Sequence, residues 1–207
     1  MASIIKVDDV QDAAGNNIIR EAADTITIGA SGDTITIPSG ATITNSGTAS
    51  GFGGITEADT WRLTTDFTGN ATPIASNWER SDTNSQGNMG TGMSQSSGIF
   101  TFPSTGFWLV TFNANFKYNG TTEYLSGYIQ ATINDSAYAN VSGVDQGIYD
   151  AGGNTYAGTC CSTICDVTSV SNVKVRFTIS MEDTSATCSG SSTQDLTSAK
   201  FIRLGDT

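Results

Sequence analysis

Residues 97–116 read SGIFTFPSTGFWLVTFNANF, and the fold follows from how this stretch is read. Ile99-Phe100-Thr101-Phe102 makes a short strand, and Pro103-Ser104-Thr105-Gly106 supplies turn residues. A longer strand follows, in which Trp108, Val110, Phe112, Ala114 and Phe116 share one face by period two. An apolar face of this size must be buried against a second layer.

Partners for that face lie further along the chain. In Val173-Lys174-Val175-Arg176-Phe177-Thr178-Ile179, apolar residues alternate with polar ones, placing Val175 and Phe177 inside. Further strands are expected over 124–133, 173–181 and 199–204, the last contributing Phe201. Trp61, Trp78 and Trp108 all fall after residue 54, so the main core belongs there. No long stretch has the period of an amphipathic helix; one short helix is expected over 12–23, interrupted at Gly15-Asn16-Asn17. The chain is therefore read as all-β, a sandwich or jelly roll over residues 55–207 behind an N-terminal arm over residues 1–54. The boundary falls in the glycine-rich run GTASGFGGI, 47–55.

The arm repeats itself. Asp24-Thr25-Ile26-Thr27-Ile28 returns as Asp33-Thr34-Ile35-Thr36-Ile37, and again, shortened, as Ala41-Thr42-Ile43-Thr44. Each copy reads as a short strand with one apolar and one polar face, ended by turn residues. Three such strands make a very thin sheet, so the isoleucines need partners.

The run around 97–116 resembles the globular heads of complement-type and tumour-necrosis-factor-like proteins. Asn88 stands at the matching distance ahead of it, and Lys200-Phe201-Ile202-Arg203-Leu204 looks like the closing strand. Met93 replaces an aromatic or leucine of that pattern, Asp82 a phenylalanine, Trp108 a tyrosine and Val110 a phenylalanine. The resemblance covers residues 57–207 and implies a ten-stranded jelly roll that assembles as a tight trimer, with Phe100, Trp108, Val110, Phe112, Phe116, Val175, Phe177 and Phe201 in its core. Three arms would then wind about one axis with Ile26, Ile28, Ile35, Ile37 and Ile43 inward, each fully buried isoleucine contributing about 1.5–3 kcal/mol. A monomeric appendage packed on the head is the alternative. The opening MASIIKVDDVQDAAGNNII, followed by GDTITIPSGATI, is similar to the openings of structural proteins of marine tailed bacteriophages.

Chemistry is constrained by what the chain lacks. It has no histidine, which excludes Ser-His-Asp and Cys-His arrangements. Paired carboxylates for glycan cleavage would have to be Asp145 with Asp150, or Glu182 with Asp183, all in loop-like sequence where acids serve as turn formers. No catalytic residue and no cofactor is expected. GFGG lacks the lysine of a phosphate-binding loop. The resembled family sometimes binds calcium, for which Asp145, Asp150 and Asn154 offer oxygen ligands, but their spacing fits no EF-hand and no metal site is expected. Cys160, Cys161, Cys165 and Cys188 lack structural-zinc spacing, leaving disulfides or free buried thiols open.

With 9 Lys+Arg against 20 Asp+Glu, the net charge of −11 argues against nucleic-acid partners. The most apolar run, Phe107-Trp108-Leu109-Val110, is too short to cross a membrane. The opening has no apolar core of signal-peptide length, which predicts synthesis in the host cytoplasm and disfavours an exported complement-like module. Two non-enzymatic functions are expected. The first is a trimeric capsid decoration (cement) protein on the virion surface, partnered by itself and the major capsid protein. The alternative is a tail-fibre or receptor-binding head whose loops at 118–124 and 145–156 grip a host surface glycan.

Overall fold

The computed structural model describes residues 9–15, 17–22, 25–29, 31–44 and 54–207, in two compact units, 1–50 and 51–207. The turn at Asn45-Ser46-Gly47 and most of the 47–55 run lie outside the described residues.

In the first unit, strands β1 (Asp9–Gln11), β2 (Asn17–Ala22) and β3 (Thr25–Ile28) form an antiparallel sheet in that order. Two expectations are corrected here. The segment expected to be helical is a hairpin. Gly15, at φ 85°, donates to the Asp12 carbonyl at 3.1 Å and turns the chain, and the β-branched Ile18 and Ile19 then run extended. Of the three Thr-Ile copies, the first is a strand among the described residues, paired with β2: Ile28 opposes Ile19 and Ile26 opposes Glu21. Residues 33–37 and 41–44 are irregular, separated by a turn in which the Ala41 N–H donates to the Pro38 carbonyl at 3.0 Å. All five repeat isoleucines are exposed, from Ile37 at 46% to Ile26 at 69%.

The second unit is a two-sheet jelly roll. Its strands are β4 (Ala58–Leu63), β5 (Phe67–Thr68), β6 (Trp78–Arg80), β7 (Ser94–Ser96), β8 (Ile99–Thr101) and β9 (Gly106–Tyr118). They continue with β10 (Thr122–Thr132), β11 (Ala139–Ile148), β12 (Thr155–Val167), β13 (Lys174–Met181), β14 (Thr187–Cys188) and β15 (Ser198–Gly205). One sheet has the order β11-β10-β13-β8-β7. The other runs β12-β9-β15-β4-β6, with the small β14–β5 pair continuing beside β9 where β15 ends. The ten strands implied by the resemblance are present, joined by β5 and β14. The β7–β8 hairpin turns on Ser97 and Gly98, both at positive φ, the geometry that matches strand twist. A Cβ at Gly98 would lie 2.1 Å from the Ile74 carbonyl oxygen.

Between the sheets sits an aromatic core. Phe177 of β13 stacks on Phe112 of β9 at 4.7 Å, and Phe100 meets Trp78, Phe177 and Phe201 each at 5.3 Å. Trp108, Val110, Phe116 and Val175 are fully buried around them. The departures from the resembled pattern have local reasons. The Trp108 indole N–H donates to the Ser104 carbonyl at 3.2 Å, using a group that a tyrosine would place differently. Met93 is buried in the core, and its backbone N–H donates to the buried Asp59 carboxylate at 2.7 Å.

Candidate functional site

The alternation that buries one face of β9 turns Phe107, Leu109, Thr111 and Asn113 to the other side of the sheet. Pairing registers extend this outer face across neighbouring strands. Ile164 of β12 opposes Leu109, Leu109 opposes Ile202 of β15, Ile202 opposes Ala58 of β4, and Ala58 bridges Met89. One apolar row thus crosses from the edge strand β12 over β9 and β15 to β4, and on to Met89. Ile164 is 61% exposed and Met89 51%, with Phe107 and Leu204 also exposed beside them. A neighbouring row, Ser162–Thr111–Lys200–Thr60, is polar. Where the face reaches β4, a cleft of about 360 Å³ opens between the sheet and the 87–89 segment, lined among others by Ala58, Asn88, Met89, Lys200 and Ile202.

Beyond that cleft the face is closed by a polar clasp. Arg62 of β4 points outward yet is wholly buried, because residues 79–86 and 195 fold over it. Its guanidinium donates to Thr83 Oγ1 and Gln86 Oε1, each at 3.0 Å, and to Glu79, with Asp82 at 3.5 Å. Asp82, which stands where the resembled pattern has a phenylalanine, therefore supplies countercharge to a buried arginine.

The free margin of the sheet is β12. Thr155–Val167 contains no lysine, arginine or proline, the residues that commonly protect an exposed strand edge from pairing. The cysteine group belongs to this strand. Alternation sends Cys160 out and Cys161 and Cys165 in, and Cys188 is buried on β14; all four thiols are free. Burial pushes the Cys165 thiol up to about 11 and the Cys188 thiol up to about 12, and raises Cys161 as well. In dilute native protein at pH 8, a disulfide reagent should therefore titrate Cys160 alone, and denaturant should release the other three. Fast reaction of Cys161, Cys165 or Cys188 before unfolding would contradict this packing.

At one end of the sandwich, the loops after β9 and β11 meet: the Asp150 N–H donates to Thr121 Oγ1 at 3.1 Å. Exposed tyrosines surround them, Tyr149 at 83%, Tyr156 at 66% and Tyr124 at 41%. The carboxylates considered for catalysis are occupied or apart. Asp145 lies within β11, not in a loop, and accepts from the Tyr128 hydroxyl at 3.2 Å. Asp150 accepts from the Gly152 N–H at 2.8 Å, closing its own turn. Asp183 accepts from the Tyr118 hydroxyl and the Ser185 N–H, and these bonds hold it below the usual carboxylate range. A general acid for glycan cleavage needs the opposite shift. Among the described residues no group of three or more acids or thiols could hold a metal ion.

The outer apolar row was not singled out by sequence reasoning. Its signal was the second phase of the β9 alternation, where Phe107 and Leu109 stand at positions expected to be polar.

No family model matches the chain, and no curated protein matches it. Solved structures do. Murine APRIL aligns at 11% identity with a TM-score of 0.50, covering 72% of this chain and 98% of that one. The Eiger TNF of S. frugiperda aligns at 11% identity with a TM-score of 0.53, covering 72% of this chain and 93% of its own. The likeness is one of fold: a tumour-necrosis-factor-like jelly roll.

Proposed function

We propose that the chain is a virion structural protein of a tailed bacteriophage, working as a homotrimeric decoration (cement) protein on the capsid surface. The observation that carries self-association is the outer row Ile164–Leu109–Ile202–Ala58–Met89, an apolar stripe over four strands, half-buried at its middle and exposed at both ends, that begins at an unprotected edge strand. Stripes of this kind mark interfaces. The exposed arm isoleucines make the same demand a second time. Placement on a phage particle is supported by the similarity of the chain's opening to those of marine-phage structural proteins. A position on the shell makes the major capsid protein the second partner.

In the trimer, copies of the arm supply strand partners to residues 33–37 and 41–44. Replacing Ile35 and Ile37 together by serine should weaken trimerisation by several kcal/mol, on the order of 1.5–3 kcal/mol for each isoleucine buried there. Light scattering across a dilution series reads this directly. The same replacement at Thr34 and Thr36 should be nearly silent, and equal effects on both faces would refute the proposed arm packing.

A receptor-binding head is the second reading, favoured by the exposed tyrosines at the joined loops, since aromatic faces stack on sugar rings. Antibody labelling of intact particles, viewed by electron microscopy, separates the two. Label over the shell supports the decoration protein; label confined to the tail overturns it in favour of the fibre.

A further inference from the structure

Resting on the homotrimer proposed above, this inference concerns what sets its register. Between residues 54 and 207, Arg62, Arg80, Lys117, Lys174 and Arg203 each have a carboxylate partner, and Arg176 bonds Gln130 and lies over the Tyr138 ring. Lys200 alone among them makes no ion pair or side-chain hydrogen bond, although the protein carries a net charge of −11. It stands exposed on β15, on the outer sheet face, at the mouth of the cleft formed with Asn88, Met89 and Ile202. Asp166 is the corresponding acid. It is exposed on β12, on the same face as Ile164, and its carboxylate has no ion pair or hydrogen-bond partner among the described residues.

The two cannot meet within one chain. The registers place Ile164 level with Ile202 across Leu109, with Asp166 beyond that level on one side and Lys200 on the other. Four residues of rise and two strand spacings separate them by about 16 Å. Their spacings nevertheless match. Asp166 lies two residues from Ile164 and Lys200 two residues from Ile202, so each acid or base stands about 6.7 Å from its apolar companion.

We propose that β12 of one copy packs on the β15–β4 face of the next, with Ile164 against the cleft beside Ile202 and Asp166 paired with Lys200. Such a contact joins two different patches, the heterologous type that a closed three-fold ring requires. The apolar residues supply the attraction, and the charge pair fixes orientation by penalising every register that leaves Asp166 against another acid.

Charge reversal tests this. Lys200→Glu sets two carboxylates against each other and Asp166→Lys two ammonium groups. Each should raise the protein concentration at which half the trimer dissociates by about tenfold. The double variant restores the pair in reverse and should return that concentration to within about threefold of wild type. Lys200→Met, which keeps an apolar stem, should weaken assembly less than Lys200→Glu. Both side chains are exposed, and circular dichroism of each variant checks that the fold is retained. A trimeric wild type whose single variants dissociate normally, or whose double variant is no better than the singles, overturns the pairing while leaving the trimer standing. A monomeric wild type overturns both.

Discussion

Replacing Phe177 by alanine is expected to remove about 3–5 kcal/mol from the stability of the head domain. Phe177 is fully buried at the centre of the two-sheet core. Its ring lies 4.7 Å from Phe112, 5.3 Å from Phe100, 5.7 Å from Trp78 and 6.0 Å from Phe201. Truncation loses the transfer energy of the ring and leaves a cavity bounded by rigid aromatics that cannot collapse into it. A domain of this size is stable by only about 5–15 kcal/mol, so the loss is a large fraction of the total. Denaturant unfolding followed by tryptophan fluorescence measures it, at one fixed protein concentration because assembly also stabilises the folded state. Tyr149→Ala, at a side chain 83% exposed, should change stability by no more than about 0.5 kcal/mol. A loss near 1 kcal/mol at Phe177, or an equal loss at Tyr149, would mean that the core is not centred on this cluster.

The centre of the fold is legible in the sequence because β9 and β13 each bury one face and expose the other, so period two survives in their residues. β12 shows why legibility fails elsewhere. At thirteen residues it is as long as β9, yet its inward side includes Thr159 and its outward side carries Tyr156, Cys160 and Ile164. Inward hydroxyls and outward apolar groups cancel the alternation, and what remains visible is a cluster of cysteines. β11 is obscured differently, by Gly143 and Gly147. The Tyr128 ring covers Gly143 so closely that a Cβ there would lie 2.1 Å from it. In the arm, composition shows the repeat but not its pairing. The first copy is a strand because β2 lies beside it, and nothing in the later copies distinguishes them from the first. The outer row of the head is the most informative loss. An apolar residue at a polar-phase position lowers the apparent quality of a strand, although it is the signature of a face awaiting a partner.

That face allows folding and assembly to be separated, and with them the two functional readings. Leu109 stands mid-row between Ile164 and Ile202, on a strand whose opposite side is fully buried. Leu109→Glu leaves the core untouched, so the head should fold and melt as an independent unit. In the proposed trimer, assembly would have to bury an unpaired carboxylate at each subunit contact, at a cost of several kcal/mol per site, so the variant should be monomeric at concentrations where the wild type assembles. A decoration protein stabilises only the assembled shell, because its binding energy is added to that state and to no other. Particles lacking the chain, or supplied only with Leu109→Glu, should therefore break at lower temperature than particles decorated with wild type. On the decoration reading they should adsorb to host cells at the normal rate, because receptor binding then belongs to other proteins of the particle. A receptor-binding head makes the opposite prediction at both measurements, because multivalent grip on a surface glycan depends on the trimer whereas shell strength does not. Normal heat resistance with lost adsorption would transfer the function to the tyrosine-rich loop end and make the outer row the stem of a fibre head.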